Sequence, residues 1–271
     1  MDYIVSIIYG VVQGITEFLP VSSSGHLALL PHFLGVKDPG VFFDLSMHLG
    51  TAIAVTLYFR DEILRLIMGF FSLVLKPKKS INDPDRPFVL NMLIATIATF
   101  VLVLTLKPLQ DGDWARQPIV ISFNLVLCGL LMYLADRWGK SNFPSLKDKF
   151  SFFPSLMIGF AQALAIFPGV SRSGATLSAA RALGLSRKRA GEFSFILSLP
   201  IIFGGFLIEL WGHRHDTLAF DYHQMIVGLM VSFFVGLITI HFFLKLISRM
   251  GLLPFFIYRV IFAAIVYLVL T

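Results

Sequence analysis

The sequence is poor in the residues that keep a soluble chain in water. Asp, Glu, Lys and Arg make up 14% of its 271 residues, against 56% that are hydrophobic, and the mean hydropathy is +0.81. A soluble domain carries roughly 25% charged residues, so a soluble fold is excluded and an integral membrane protein expected. Cysteine is nearly absent. Cys128 stands alone in an apolar run, which excludes a disulfide or a thiolate metal site within one chain and leaves a small buried hydrophobe. Met1-Asp2-Tyr3 has neither a basic region nor a small-residue cleavage site, so no removable signal peptide is expected. Low-complexity stretches and long polar segments are missing too, and residues 1–271 read as one membrane domain. Basic residues outnumber acidic ones, 22 to 16. In so apolar a chain that excess reads as topology, and no nucleic-acid partner is expected.

What is present is a set of apolar runs. Residues 43–59, 88–106, 119–135, 193–210, 225–244 and 254–270 approach the ~20 residues that cross a bilayer. The first is short, and continuation past Arg60-Asp61-Glu62 into 63–75 would lengthen it. Two further runs are interrupted. Residues 4–18 meet Pro20 and Ser22-Ser23-Ser24-Gly25 before resuming over 26–34, and 152–167 and 175–183 flank a tract from Pro168 to Gly174. At about 1.5 Å per helical residue these arms fall short of the membrane's far side. Each pair is expected to form a re-entrant helical hairpin, over 4–34 and 152–184. One kinked spanning helix is the alternative for the first.

The two interrupted runs match each other. Gly10-x-x-Gln13 aligns with Gly159-x-x-Gln162, and Val21-Ser-Ser-Ser-Gly25 with Val170-Ser-Arg-Ser-Gly174, all at one offset of 149 residues. That is an internal duplication, with halves 1–140 and 150–271. Each half holds a hairpin and three spans. Three is odd, so the second hairpin must enter from the opposite face. The expected fold is all-α: six transmembrane helices plus two re-entrant helical hairpins in an inverted-topology repeat, an arrangement known from transporters. Cations sort accordingly. Arg60, Arg65, Lys76, Lys78, Lys79, Arg86, Arg137, Lys140, Lys147, Lys149, Arg187, Lys188, Arg189, Lys245 and Arg249 fall on one side, and only Lys37, Lys107, Arg116 and Arg214 on the other. The positive-inside rule makes the first side cytoplasmic and puts both termini outside.

Three cations are left inside the membrane: Arg172, Arg181 and Arg259. A charge there is costly and faces a partner, a cavity or a ligand. Glu17 poses the same question, and a plain Glu17–Arg172 structural pair is one answer. It leaves Ser22, Ser23, Ser24, His26, Ser171, Ser173 and Thr176 unexplained. Hydroxyls, glycines that let backbone approach, and broken-helix N-termini suit an oxyanion. Arg172 adds a planar fork for phosphate oxygens. Glu17, with Gln13 one turn earlier, offers hard oxygen ligands to Mg²⁺ or Ca²⁺. His26 has the ordinary pKa for proton transfer near neutrality, and a serine beside it could be a nucleophile. These parts fit phosphoryl transfer. His48 has no such neighbours in sequence and reads as helix packing. Ile166 occupies the place that matches Glu17, so the tips read as a metal-and-base side and an anion-clamp side.

Gln13-x-x-x-Glu17, Pro20-Val-Ser-Ser-Ser-Gly-His26 and Pro168-Gly-Val-Ser-Arg-Ser-Gly-Ala-Thr176 resemble the signature motifs of the BacA-type undecaprenyl-diphosphate phosphatases. The likeness runs the full length, through Glu192-Phe-Ser-Phe and Pro254-Phe-x-x-Tyr-Arg259. It implies hydrolysis of undecaprenyl diphosphate to undecaprenyl phosphate and inorganic phosphate in the bacterial cytoplasmic (inner) membrane. That activity recycles the lipid carrier of peptidoglycan synthesis and is linked with bacitracin resistance. The resemblance makes Glu17 the essential, metal-binding acid, His26 the acid/base, and Ser23 the nucleophile or phosphate ligand. Arg172, with Ser171 and Ser173, becomes the diphosphate clamp that Thr176 closes. Ser22, Ser24, Gly25 and Gly174 complete the expected diphosphate-binding set. Gln13 stands where the family has Glu or Gln. The expected partners are a polyprenyl diphosphate lipid and the bilayer, with a homodimer allowed, and access is expected from the outer face. The alternative function is a polyprenyl-phosphate transporter or flippase, for which a histidine beside the serines has no use. A structural subunit would leave Glu17 and Arg172 without a reason.

Overall fold

The computed structural model describes residues 2–76, 83–110, 113–142, 152–212 and 222–271. Lys78, Lys79, Lys147, Lys149 and Arg214, used above to orient the chain, lie outside the described residues. Among the described residues all regular structure is helical. Six helices are long and apolar enough to cross a membrane: α3 (Val41–Tyr58), α5 (Arg86–Gln110), α6 (Pro118–Trp138), α9 (Arg187–Gly212), α10 (Tyr222–Met250) and α11 (Leu253–Leu270). They coincide with the six expected spans; α5, α6, α9 and α10 run further at both ends, and α3 and α11 differ by one or two residues. The chain is a multi-pass membrane protein.

One expectation is corrected. The first span does not run on through Arg60-Asp61-Glu62: α3 ends at Tyr58, Phe59 leaves helical geometry (φ −104°, ψ 28°), and a separate helix α4 (Arg60–Leu75) begins. Asp61 and Glu62 fall in the first turn of α4, where acidic side chains complement the helix dipole. No residue of α4 is buried.

The interrupted runs become two pairs of short helices, α1 (Tyr3–Thr16) with α2 (Ser23–Leu34), and α7 (Phe152–Ala163) with α8 (Arg172–Ala182). Helix α1 packs on α10, and α7 packs on α5. Both crossings are glycine-dependent. A Cβ on Gly10 would lie 2.6 Å from the Gly228 carbonyl oxygen, and one on Gly159 would collide with the carbonyl oxygen of Ala95. Two further packings, α3 on α9 and α6 on α11, join the halves of the chain.

The ends of the bundle carry separate clusters. Val5, Leu27, Phe42, Phe43 and Met225 pack together where α1, α3 and α10 begin. Phe59, Phe88, Phe193, Ile247 and Leu252 belong to the larger core, where α3 and α10 end and α5, α9 and α11 begin. Arg181 is accounted for there. Its Nε donates to Asp136 Oδ1 (3.1 Å), as does Arg187 Nε (2.7 Å), while Asp136 Oδ2 accepts from the Leu252 amide (3.1 Å). This buried carboxylate gathers α6, α8, α9 and the start of α11.

Candidate active site

Both short pairs break at a serine held in a backbone conformation that L-residues rarely adopt. Ser22 has φ 74° and Ser171 φ 69°, the two non-glycine residues with positive φ among the described residues. Such conformations persist only where surrounding contacts enforce them. The enforcing group is Arg259. It is fully buried, and its guanidinium donates to carbonyl oxygens of both turns: Gly169 (2.7 Å) and Val170 (3.1 Å) in the second, Pro20 (3.4 Å) in the first. Nε donates to Leu125 O on α6 at 2.8 Å. The last intramembrane cation is thus paid in carbonyl dipoles rather than by a carboxylate.

Side chains reaching inward from the turns meet at Glu17, the residue after α1. Arg172 Nη2 donates to Glu17 Oε1 at 2.5 Å, and Nη1 to Ser194 O at 3.2 Å. Glu17 Oε2 accepts from Ser23 Oγ at 2.7 Å and from Gln13 Nε2 at 3.0 Å. Glu17 is 6% exposed, so a desolvated carboxylate is held by one full charge and two neutral donors, as a buried anion requires. The other amide atom of Gln13, Oε1, is buried without a hydrogen-bond partner. Ser23 and Arg172 are the first residues of α2 and α8, so two helix N-termini abut this cluster.

A cavity of about 290 Å³ opens over the cluster. Its polar wall is Glu17, Ser22, Ser23, Ser24, Ser171 and Arg172, joined by His48, Thr99 and Gln162. The remainder is apolar, with Leu45, Val103, Ile166, Ile201 and Ile202. A larger cavity of about 430 Å³ lies elsewhere, between Trp114, Leu127, Cys128, Leu131 and Phe167, and is almost wholly apolar. The smaller one, with the charges, is the candidate site.

Not every expected residue faces it. Ser173 turns its hydroxyl to Leu19 O (3.2 Å), bridging one turn to the other. Thr176 shares a 2.5 Å contact with Ser194 Oγ. Gly25 and Gly174 lie against Phe262 and Arg259: a Cβ on either would stand 3.2 Å from the Phe262 ring or 3.0 Å from Arg259 Nη1. His26 has both nitrogens engaged, Nδ1–H with Ser22 O (2.8 Å) and Nε2 with the Tyr258 hydroxyl (2.7 Å), and its ring stacks on Phe262 at 3.9 Å. It does not line the cavity.

His48, read from sequence as helix packing, does line it. Its Nδ1 bonds Asp44 O at 2.8 Å, and Nε2 stands 3.4 Å from Glu17 Oε2. Sequence spacing could not bring 48 to 17; an ionisable side chain inside a span was the signal. Gln162 was visible only as a repeat match. Its Nε2 donates to Thr99 Oγ1 (3.2 Å), and Thr99 bonds in turn to Ala95 O and Gly159 O.

The sequence pattern described as bacitracin resistance protein BacA matches residues 6–265 of this chain. A protein of Idiomarina loihiensis (strain ATCC BAA-735 / DSM 15497 / L2-TR) named undecaprenyl-diphosphatase is 38% identical over 270 residues, covering 99% of each chain. One of Stutzerimonas stutzeri (strain A1501) named undecaprenyl-diphosphatase 2 is 39% identical over 267 residues, covering 98% of this chain and 97% of that one.

Proposed function

The chain belongs to the BacA family of bacitracin resistance proteins, and we propose that its Glu17–Arg172 cluster is where undecaprenyl diphosphate is hydrolysed. The enzyme is an undecaprenyl-diphosphate phosphatase, as its relatives are named, and the transporter alternative is not favoured. One observation carries the site: Ser23 and Arg172, from the two turns, each bond an oxygen of one buried carboxylate.

The reaction follows from that geometry. Arg172 and the N-termini of α2 and α8 bind the diphosphate, and the apolar wall takes the first prenyl units. The Ser23 hydroxyl already donates to Glu17, which is the arrangement of a nucleophile and its base. Ser23 Oγ attacks the terminal phosphorus while its proton passes to Glu17, and the bond to the bridging oxygen breaks, its electron pair leaving with undecaprenyl phosphate. Water then displaces the phosphoryl group from Ser23, whose oxygen recovers the proton from Glu17, and inorganic phosphate leaves. Arg172 meets the charge that spreads over the transferring group. His26 holds the first turn through Ser22 O and acts in support of Ser23.

The residues fit a divalent cation, Mg²⁺ or Ca²⁺. Among the described residues no three His, Cys, Asp or Glu side chains converge, but Mg²⁺ is commonly held by one or two protein oxygens plus substrate phosphates. Glu17 and the partnerless Gln13 Oε1 supply such oxygens. The bound ion would offset charge on the diphosphate.

We read the short pairs as re-entrant hairpins of an inverted repeat. In support, the Arg181–Asp136 bond sets the end of α8 beside the end of α6, from which the chain departs towards α7. The matched glycine crossings, α1 on α10 and α7 on α5, support it further. By the positive-inside rule the Asp136 end is cytoplasmic, the termini lie outside, and the site opens to the outer face.

The test is phosphate release from undecaprenyl or farnesyl diphosphate by purified protein with Mg²⁺, Ca²⁺ or EDTA. Release is expected, suppressed by EDTA and by Ser23→Ala. Undiminished release from Ser23→Ala would remove Ser23 from the chemistry, and release indifferent to EDTA would remove the cation.

A further inference from the structure

His48 is placed as a metal ligand is placed. Asp44 O is a carbonyl and can only accept, so Nδ1 carries the proton and donates to it at 2.8 Å. Tying one ring nitrogen to a backbone carbonyl is how proteins fix the tautomer and aim of a histidine whose other nitrogen binds a metal. In the neutral ring that other nitrogen, Nε2, is then a lone pair. It stands 3.4 Å from Glu17 Oε2, beyond the usual 2.7–3.2 Å of an N–H···O bond, and that oxygen already accepts from Ser23 and Gln13. Gln13 Oε1, on the amide that donates to this same oxygen, is buried without a donor. A carboxylate oxygen and an imidazole nitrogen side by side on the wall of a cavity built for an anion leave a place for a cation beside Arg172. His26 is not equivalent, since its Nε2 is already bonded to Tyr258.

We propose that His48 Nε2 is a direct ligand of the divalent cation bound at Glu17, completing with Gln13 Oε1 a mixed nitrogen–oxygen set on the α1 and α3 side of the cavity. The inference rests on the cation reading of Glu17 given above. It carries a consequence for metal choice: a nitrogen ligand, softer than oxygen, shifts preference towards transition-metal ions, for which Mn²⁺ is the spectroscopic probe, and away from Ca²⁺.

The test is Mn²⁺ binding to the full chain in nanodiscs, followed by electron paramagnetic resonance, with pulsed detection of nitrogen coordinated to the ion. Wild type is expected to bind Mn²⁺ with a directly coordinated imidazole nitrogen. His48→Ala should weaken binding about tenfold or more and abolish the nitrogen signal. His48→Gln, which offers an oxygen of similar reach, should recover binding without the signal and lower the preference for Mn²⁺ over Ca²⁺. His26→Ala should leave the signal in place. A nitrogen signal that survives His48→Ala overturns the proposal, as does unchanged affinity in that variant while Glu17→Gln abolishes binding; in the latter case the cation reading stands. No Mn²⁺ binding by active wild type would remove the cation reading and this inference with it.

Discussion

The two turns share a backbone and differ in their chemistry. Each breaks at a serine of positive φ, and in each that serine's Oγ lies 3.4 Å from the hydroxyl two residues on, Ser22 to Ser24 and Ser171 to Ser173. Each is pinned by Arg259. At the offset of 149 residues Ser23 corresponds to Arg172, and both bond Glu17, one to each carboxylate oxygen. Glu17 itself corresponds to Ile166. The two matched turns therefore deliver two helix N-termini to one point, and they differ in the side chains they bring there. One turn carries a small hydroxyl and a carboxylate, while the other carries a permanent charge and Ile166. A symmetric site could bind a diphosphate; the proposed chemistry needs the asymmetric one, with a hydroxyl, a carboxylate and a guanidinium in contact.

The sharpest way to break this division is to remove the carboxylate without changing its size. Glu17→Gln is expected to lower the rate of phosphate release by about 10²–10⁴, the range for loss of a general base. Arg172→Lys, which keeps the charge and loses the fork, should cost about 10²–10³. A Glu17→Gln enzyme of near wild-type rate would mean that the carboxylate only pairs with Arg172.

Arg259 tests what the turns have in common. Among the described residues it has no carboxylate partner, and backbone carbonyls accept its hydrogen bonds. Arg259→Met fills similar volume but leaves those carbonyls orphaned. Each buried acceptor left without its donor typically costs about 1–3 kcal/mol, so a large drop in the thermal unfolding midpoint is expected, with activity lost together with the fold. If stability holds and only activity falls, Arg259 shapes the turns without supporting the bundle.

The spans were legible because hydropathy over twenty residues is a strong signal, and all six lie where it put them. The turns were legible because Pro, Gly and Ser tracts punctuate apolar runs. The join between Tyr58 and Arg60 was not, because Arg60-Asp61-Glu62 fits either a passing helix or a new one, and only the dihedrals of Phe59 decide. Glu17 and Arg172 were read as a candidate pair from charge alone, and they touch. His48 and Ser194 reach the cluster from α3 and α9, so their part depends on packing between helices distant in sequence. His26 shows the converse, since a motif position does not reveal which way a ring faces: Tyr258 and Phe262, from the far end of the chain, hold it.

The glycine crossings probe whether the halves are equivalent in packing. Gly10→Ala and Gly159→Ala each force a methyl group against a neighbouring carbonyl oxygen, and overpacking of this kind costs about 1–3 kcal/mol. Comparable losses of unfolding midpoint are expected at both. A loss confined to one would show that the other crossing relaxes, and the matched-crossing support for the repeat would fall.

The smallest difference lies in the two strained serines. A left-handed conformation burdens an L-residue by roughly 1–2 kcal/mol relative to glycine. Ser22 makes no capping bond, whereas Ser171 Oγ accepts from the Gly174 amide at 3.2 Å. Ser22→Gly should therefore raise the unfolding midpoint. Ser171→Gly gains the same relief but gives up its cap, for which glycine loses only a few tenths of a kcal/mol relative to serine, so its gain should be smaller. Ser22 lines the cavity, so its hydroxyl stands at a position where stability alone would favour glycine. Paired stability and rate measurements on Ser22→Gly decide this. A more stable, slower enzyme is the expected result, and a more stable enzyme of unchanged rate would leave the serine's retention without a catalytic reason.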